Sequence, residues 1–471
     1  MIELSRRSFL GGLVGVTAAN AVSNSAVCIA GTPKDSGTAL LPCPNSAQLD
    51  WQNFELGILY SLDLPVFAPG GWGGFDAVRA VLDPRIFNPP RLDTDQWLAA
   101  AKALGAKYAV FTATHHNGFL NWQSDLYPYG LKQTPWRHGK GDLVRDFVES
   151  SHRHGVKPAL FLSCYVNAYW KVSKYRANWG EGGAQQATFN HICEQMVEEL
   201  CSRYGPLAEI WFDAGLLSPE DGGPNVLPII DKYQPNVVFY HSPQRAQHRW
   251  IGNEAGVAGS PCWATMPDPS TVRGGYPAGW NKLLPHGDPT GAYWSPAMVD
   301  VPIRDHEWFW RPNDEHKILP LSRLVDMYYT SVGRNCTFIL GATPGPDGLV
   351  PEPDFRRFAD LGKEIRRRFG QPAAQTQGEG LTLELDLPRP SRVNHLVLME
   401  NIAKGERVRE YTVQGLTPGN TWVKVAGGTS IGHKHIHRFA AFDVARLRFR
   451  CTSSRANPQL LKFAAYNVEG D

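Results

Sequence analysis

The sequence predicts a (β/α)8-like, TIM-type barrel followed by a C-terminal β-sandwich. Three observations carry this. Between about residues 48 and 370, short apolar β-rich runs alternate with helical patterns, the signature of βα units around a parallel sheet. After Phe369 the pattern changes to short alternating strands with turns between them. Residues 243 to 320 are rich in Gly, Pro and Trp and almost aperiodic, as the long βα loops that build a barrel's active-site face would be.

In chain order, residues 1–45 read as leader and linker, 46–370 as the barrel and 371–471 as the sandwich. Ser5-Arg6-Arg7-Ser8-Phe9-Leu10 followed by the apolar run Gly11 to Val22 has the form of a twin-arginine export signal, so a periplasmic or secreted protein is expected. Barrel strands are predicted at Leu56 to Leu62, Tyr108 to Ala113, Pro158 to Ser163, Glu209 to Phe212, Val237 to His241 and Cys336 to Leu340. Helices fit between them at Asp95 to Leu104, Asp142 to His154 and Ala187 to Arg203, with Asp93-Thr94 capping the first and Gly155 ending the second. Sandwich strands are expected near Leu381 to Leu385, His395 to Met399, Tyr411 to Val413, Trp422 to Val425 and Ala445 to Cys451.

Lys+Arg 47 against Asp+Glu 45 leaves a formal charge of +2, with neither the basic excess nor the basic stripe of a nucleic-acid binder. No apolar run reaches the roughly 20 residues that cross a bilayer, so no membrane span is expected. Of eight cysteines, Cys28 falls in or beside the leader. The odd remainder forms no CxxC or Cys/His metal spacing and no complete disulfide framework. The sequence sets no oligomeric state.

Two carboxylates could carry chemistry. Asp213 ends the apolar strand in Trp211-Phe212-Asp213-Ala214-Gly215, and on a barrel that end opens onto the active-site face. A turn or cap Asp would read the same way. Glu254 lies in the glycine-flanked segment Trp250-Ile251-Gly252-Asn253-Glu254-Ala255-Gly256, and alone it reads as a solvated loop acid. Together, two carboxylates on neighbouring strand ends could be the pair a glycosidase needs.

Those two segments and Ala113-Thr114-His115-His116-Asn117-Gly118-Phe119 together resemble the α-L-fucosidases of glycoside hydrolase family 29, in particular the α-1,3/1,4-fucosidase branch. Ile86-Phe87-Asn88-Pro89, Gly141-Asp142-Leu143-Val144 and Ser331-Val332-Gly333-Arg334-Asn335-Cys336 follow in the expected order, over roughly residues 45 to 370. The resemblance implies an exo-acting retaining glycosidase acting on a glycan, with Asp213 as nucleophile, Glu254 as acid and then base, and no cofactor or metal. It also implies that His115 and His116 line the sugar subsite. Neighbouring strand residues point to opposite faces, so only one of the two is expected to reach the ligand unless the chain bends. No third metal ligand stands at matching sequence spacing, which argues against a metal site.

The departures from that pattern concern the sugar. Tyr60-Ser61-Leu62-Asp63 places Ser61 where the family has a sugar-binding histidine, and Gly71-Trp72 replaces a Glu-Trp pair. Asp63, one pleat beyond Ser61, is the candidate to compensate. Losing charge-assisted hydrogen bonds of this kind costs about 1.5 to 3 kcal/mol each, enough to change sugar preference. The same mechanism on another L-configured sugar such as an α-L-galactoside, or a silent carbohydrate-binding homologue, therefore stand as alternatives.

The 15 tryptophans are unevenly placed, with most in predicted loops or at strand ends. Indole faces stack on the apolar faces of sugar rings, although long loops also use them in small local cores. Trp72, Trp211 and Trp250 are the candidate sugar contacts, with Trp250 also expected to raise the Glu254 pKa by burial. Trp308-Phe309-Trp310 resembles a family loop, and makes Trp308 and Trp310 the candidate aglycone platform. Trp422, Tyr411 and the histidines from His433 to His437 are candidates for a small second site in the C-terminal domain, the alternative being that this domain simply packs against the barrel and stabilises it.

Overall fold

The computed structural model describes residues 41–70, 80–177, 183–268 and 282–470. Gly71 and Trp72 lie outside the described residues. Eight parallel strands form one sheet: β1 Leu56–Tyr60, β2 Tyr108–Thr112, β3 Lys157–Leu162, β4 Glu209–Phe212, β5 Val238–Tyr240, β6 Arg249–Trp250, β7 Ala297–Pro302 and β8 Cys336–Ala342. Their order, β5-β4-β3-β2-β1-β8-β7-β6, brings the two end strands round to each other as a nearly closed barrel. At the seam the Gln247 side chain substitutes for part of a ladder. The Gln247 N–H donates to Phe239 O at 3.1 Å, and its Oε1 accepts from the Phe239 N–H at 2.8 Å.

The helices are set by local chemistry. Asp93 caps α2 (Thr94–Leu104) by accepting from the Asp95 and Gln96 N–H groups, and Gly105 ends it in the left-handed region. Asp142 and Gly155 do the same for α3 (Leu143–His154). Helices α4 (Ala184–Arg203), α5 (Leu227–Tyr233) and α6 (Leu321–Thr330) follow β3, β4 and β7. Helix α7 (Glu352–Phe369) has Glu352 and Asp354 in its first turn and Arg366, Arg367 and Arg368 in its last, matched to the helix dipole. Helix α1 (Ser46–Phe54) precedes β1 and contributes Trp51 to the barrel interior.

That interior is filled rather than hollow. Leu59, Tyr108, Val110, Ala159, Phe161, Trp211, Val238, Tyr240, Met298 and Ile339 form one buried cluster with Trp51. Glu209, fully buried at the start of β4, accepts from Trp51 Nε1 at 3.0 Å and faces His248 Nε2 at 2.6 Å. Alternate residues of the strands, Ile58, Tyr60, Ala109 and Phe111 among them, face the helices in a second and larger cluster.

The C-terminal part is antiparallel: β9 Ala374–Glu379, β10 Thr382–Glu400, β11 Val408–Leu416, β12 Trp422–Gly428, β13 His435–Ser454 and β14 Gln459–Tyr466. All six join one sheet in the order β9-β14-β10-β13-β11-β12, around an apolar cluster that includes Leu396, Val413, Leu447 and Phe463. The runs expected near 381–385 and 395–399 are one long strand, β10, whose pairing with β13 shifts register between Asp386 and Ser391. Bulges of this kind bend strands without ending them. Cys164, Cys193, Cys201, Cys262, Cys336 and Cys451 are buried and form no disulfide. No helix among the described residues is long and apolar enough to cross a membrane.

Candidate active site

A pocket opens at the C-terminal end of the strands. Its lining is Leu59, Ser61, Thr112, His115, Phe161, Trp211, Asp213, Glu254, Asp300, Trp308 and Phe309. The floor is therefore the top layer of the barrel interior, and the polar groups come from the ends of different strands.

Asp213 follows β4 directly. The ladder continues through its N–H, which donates to Leu162 O at 2.8 Å, and the chain then turns, with the Gly215 N–H bonded to Phe212 O at 2.9 Å. The Asp213 side chain keeps 35% of its surface open at the pocket. Burial raises its carboxyl to about 6, against the lowering effect of the Ala214 N–H. Glu254 stands exposed at the rim. Desolvation raises its carboxyl, and the Asp213 charge raises it further, while a hydrogen bond from Trp308 and the nearby His306 act the other way.

Both histidines face the site. The chain leaves β2 at Thr112 and turns, with the Gly118 N–H on His115 O at 3.0 Å, so the strand alternation no longer applies. Their ring centroids are 4.2 Å apart. His115 lines the pocket between Phe161 and Phe309, and burial drives its pKa well below the usual histidine range. His116 Nε2 lies 3.3 Å from Asp213 Oδ2, and its Nδ1 lies 2.7 Å from Ser163 Oγ. The fold also supplies the third ligand that sequence spacing lacked, because ligand atoms of His115, His116 and Asp213 lie within 4.8 Å of one another. These three side chains could hold a cation.

Other expectations need correction. Asp63 does not line the pocket: it is wholly buried and caps the short 3-10 helix Leu64–Phe67. Its Oδ1 accepts from the Leu64 N–H at 2.7 Å and from Asn117 Nδ2 at 2.9 Å, and burial raises its carboxyl to about 7. Trp250 is not the indole beside Glu254; its Nε1 donates to Asp300 Oδ1 at 2.7 Å. Trp308 lines the pocket, whereas Trp310 packs against the core behind it. In the C-terminal domain, Tyr411 bonds His437, His433 bonds Glu55 and Arg448 lies over the Trp422 ring.

Asp300 was missed. It lies in β7 within the aperiodic stretch, where the only signal is one acid in the apolar run Ala297-Met298-Val299-Asp300-Val301-Pro302. Burial raises its carboxyl to about 8, reinforced by the Glu254 charge and opposed by the Trp250 bond.

The sequence model of the family described as alpha-L-fucosidase matches residues 83–368. The chain belongs to the α-L-fucosidase family. It is 31% identical to a protein of Oryza sativa subsp. japonica named as a candidate α-L-fucosidase 1, over 97% of this chain and 90% of that one. With "Alpha-L-fucosidase 1" of Arabidopsis thaliana the identity is 29%, over 91% and 88% of the two chains. A solved structure of a candidate α-L-fucosidase from Bacteroides thetaiotaomicron VPI-5482 superposes with a TM-score of 0.88. It is 44% identical and covers 91% of this chain and 100% of its own. The protein is thus a glycoside hydrolase of the fucosidase family, and glycans are its substrate class.

Proposed function

We propose that this family member is an exo-acting retaining α-L-fucosidase of the α-1,3/1,4 type, with Asp213 as nucleophile and Glu254 as acid and then base. The observation that carries this is that both carboxyls open into one aromatic-walled pocket at the strand ends. Asp213 is ionised above about pH 6 and can attack the anomeric carbon. Glu254, its carboxyl raised by desolvation at the pocket and by the Asp213 charge, is the group placed to give a proton to the leaving oxygen. Once Asp213 is esterified its charge is gone, and the Glu254 carboxylate can activate water for the second displacement. Phe161, Trp211, Trp308 and Phe309 supply apolar faces for a deoxy sugar ring.

Ser61 and Asp300 both line this pocket, while Asp63 is committed elsewhere. Two groups able to bond an additional hydroxyl keep an α-L-galactoside as the second reading. Aryl α-L-fucoside, α-L-galactoside, β-L-arabinopyranoside and α-L-rhamnoside, each followed by NMR, separate these. Fastest release from the fucoside, with the α anomer formed first, is expected. A β anomer first contradicts retention, and a faster galactoside replaces the sugar assignment. Export is proposed from Arg6-Arg7 and the apolar run after them. Replacing both arginines with lysine should leave the protein in the cytoplasm.

A further inference from the structure

A two-residue hairpin lies beside the nucleophile. Val172–Ser173 pairs antiparallel with Arg176–Ala177, and the connecting residues Lys174 and Tyr175 have φ of 50° and 69°. Turns with positive φ at both central positions favour Asn-Gly, because side chains such as these rarely adopt that backbone. Tyr175 is tied down on several sides. Its N–H donates to Tyr165 O at 2.9 Å, its carbonyl accepts from Gln186 Nε2 at 3.1 Å, and its ring packs edge-on to Tyr165 at 4.8 Å.

The remaining tie leads to the reaction centre, since Tyr175 Oη donates to Ala214 O at 2.6 Å. Ala214 is itself a non-glycine residue in the left-handed region, at φ 56°, immediately after Asp213. Its N–H stands next to the Asp213 carboxylate and draws that carboxyl's pKa down, and its carbonyl is the one held by Tyr175. Rotating Ala214 back to an ordinary conformation would re-aim the backbone on which the Asp213 side chain is mounted.

We propose that Tyr175 is a positioning residue, fixing the Asp213 carboxylate for attack by locking Ala214 in its left-handed conformation. The proposal rests on the reading of Asp213 as nucleophile. The test is Tyr175→Phe, which keeps the ring contact and removes only the hydroxyl, assayed on the aryl glycoside the wild type hydrolyses best. The expected result is a kcat lower by about tenfold, roughly 1.4 kcal/mol in the barrel's reaction barrier, with KM within about twofold and Tm unchanged.

Glycine reaches positive φ without strain. In an Ala214→Gly background the loss from Tyr175→Phe should shrink to less than about threefold. Equal losses in both backgrounds, a rise in KM with kcat unchanged, or a loss that follows a fall in Tm each overturn the proposal. Covalent labelling of the wild type reports separately on Asp213, so failure of that reading is distinguished from failure of this one.

Discussion

The Trp250 indole N–H donates to Asp300 Oδ1 at 2.7 Å, linking the end of β6 to the middle of β7 inside the pocket wall. The bond favours the ionised carboxyl, which burial opposes strongly enough to leave Asp300 at about 8. Trp250→Phe keeps an aromatic ring and removes the donor. The Asp300 ionisation should move further up, and kcat/KM should fall by about five- to tenfold as the carboxyl loses its fixed orientation. A pH series of kcat/KM for wild type and variant measures both.

The wild-type profile should be bell-shaped. Asp213 must be ionised to attack, so kcat/KM falls as pH drops through about 6, where it takes up a proton. Glu254 must be protonated, and because desolvation at the pocket and the Asp213 charge both raise it, the alkaline limb should lie above the range of an ordinary glutamate. Glu254→Ala should slow substrates with poor leaving groups far more than activated ones, with partial rescue by azide. Equal slowing of both would remove Glu254 from the role of acid.

Asp63 makes a prediction about stability rather than rate. Its carboxyl is held at about 7 in the folded chain against an ordinary 3.8, because it is buried with Oδ2 lacking a hydrogen-bond partner among the described residues. The folded state binds this proton more tightly than the unfolded one, so the stability it contributes is full below about pH 3.8 and is lost as pH rises to about 7. Asp63→Asn can still accept from Leu64 and stays neutral. It should be about 1–2 kcal/mol more stable than wild type at pH 8 and close to it at pH 4, by denaturant unfolding at the two pH values.

The regular part of the barrel was legible because its strands are uninterrupted apolar runs. Glu209–Phe212 is observed with the predicted limits, and the helices agree to within a few residues. Strands β6 and β7 were not legible: β7 lies inside the Gly-, Pro- and Trp-rich stretch that reads as loop, and β6 has two residues, one of them the buried Arg249, whose guanidinium bonds the Leu284 and Trp263 carbonyls of that stretch. Extending the β1 alternation placed Asp63 in the pocket. The Asp-Leu-Pro sequence there carries a competing signal, an N-cap with Pro at the start of a helix, and that signal prevailed. The histidine pair was found by resemblance, but the turn that aims both rings at one site depends on contacts far apart in sequence. One is the approach of Gly118 to Asn167, where a side chain's Cβ would meet the amide at 2.3 Å.

The central claim is that Asp213 forms the covalent intermediate. Incubation with a 2-fluoro glycosyl fluoride of the preferred sugar, followed by proteolysis and mass spectrometry, tests it most directly. The account predicts a single adduct on the peptide containing Trp211-Phe212-Asp213, absent from Asp213→Ala. An adduct on another carboxylate, or continued turnover by Asp213→Ala at the wild-type rate, would contradict it.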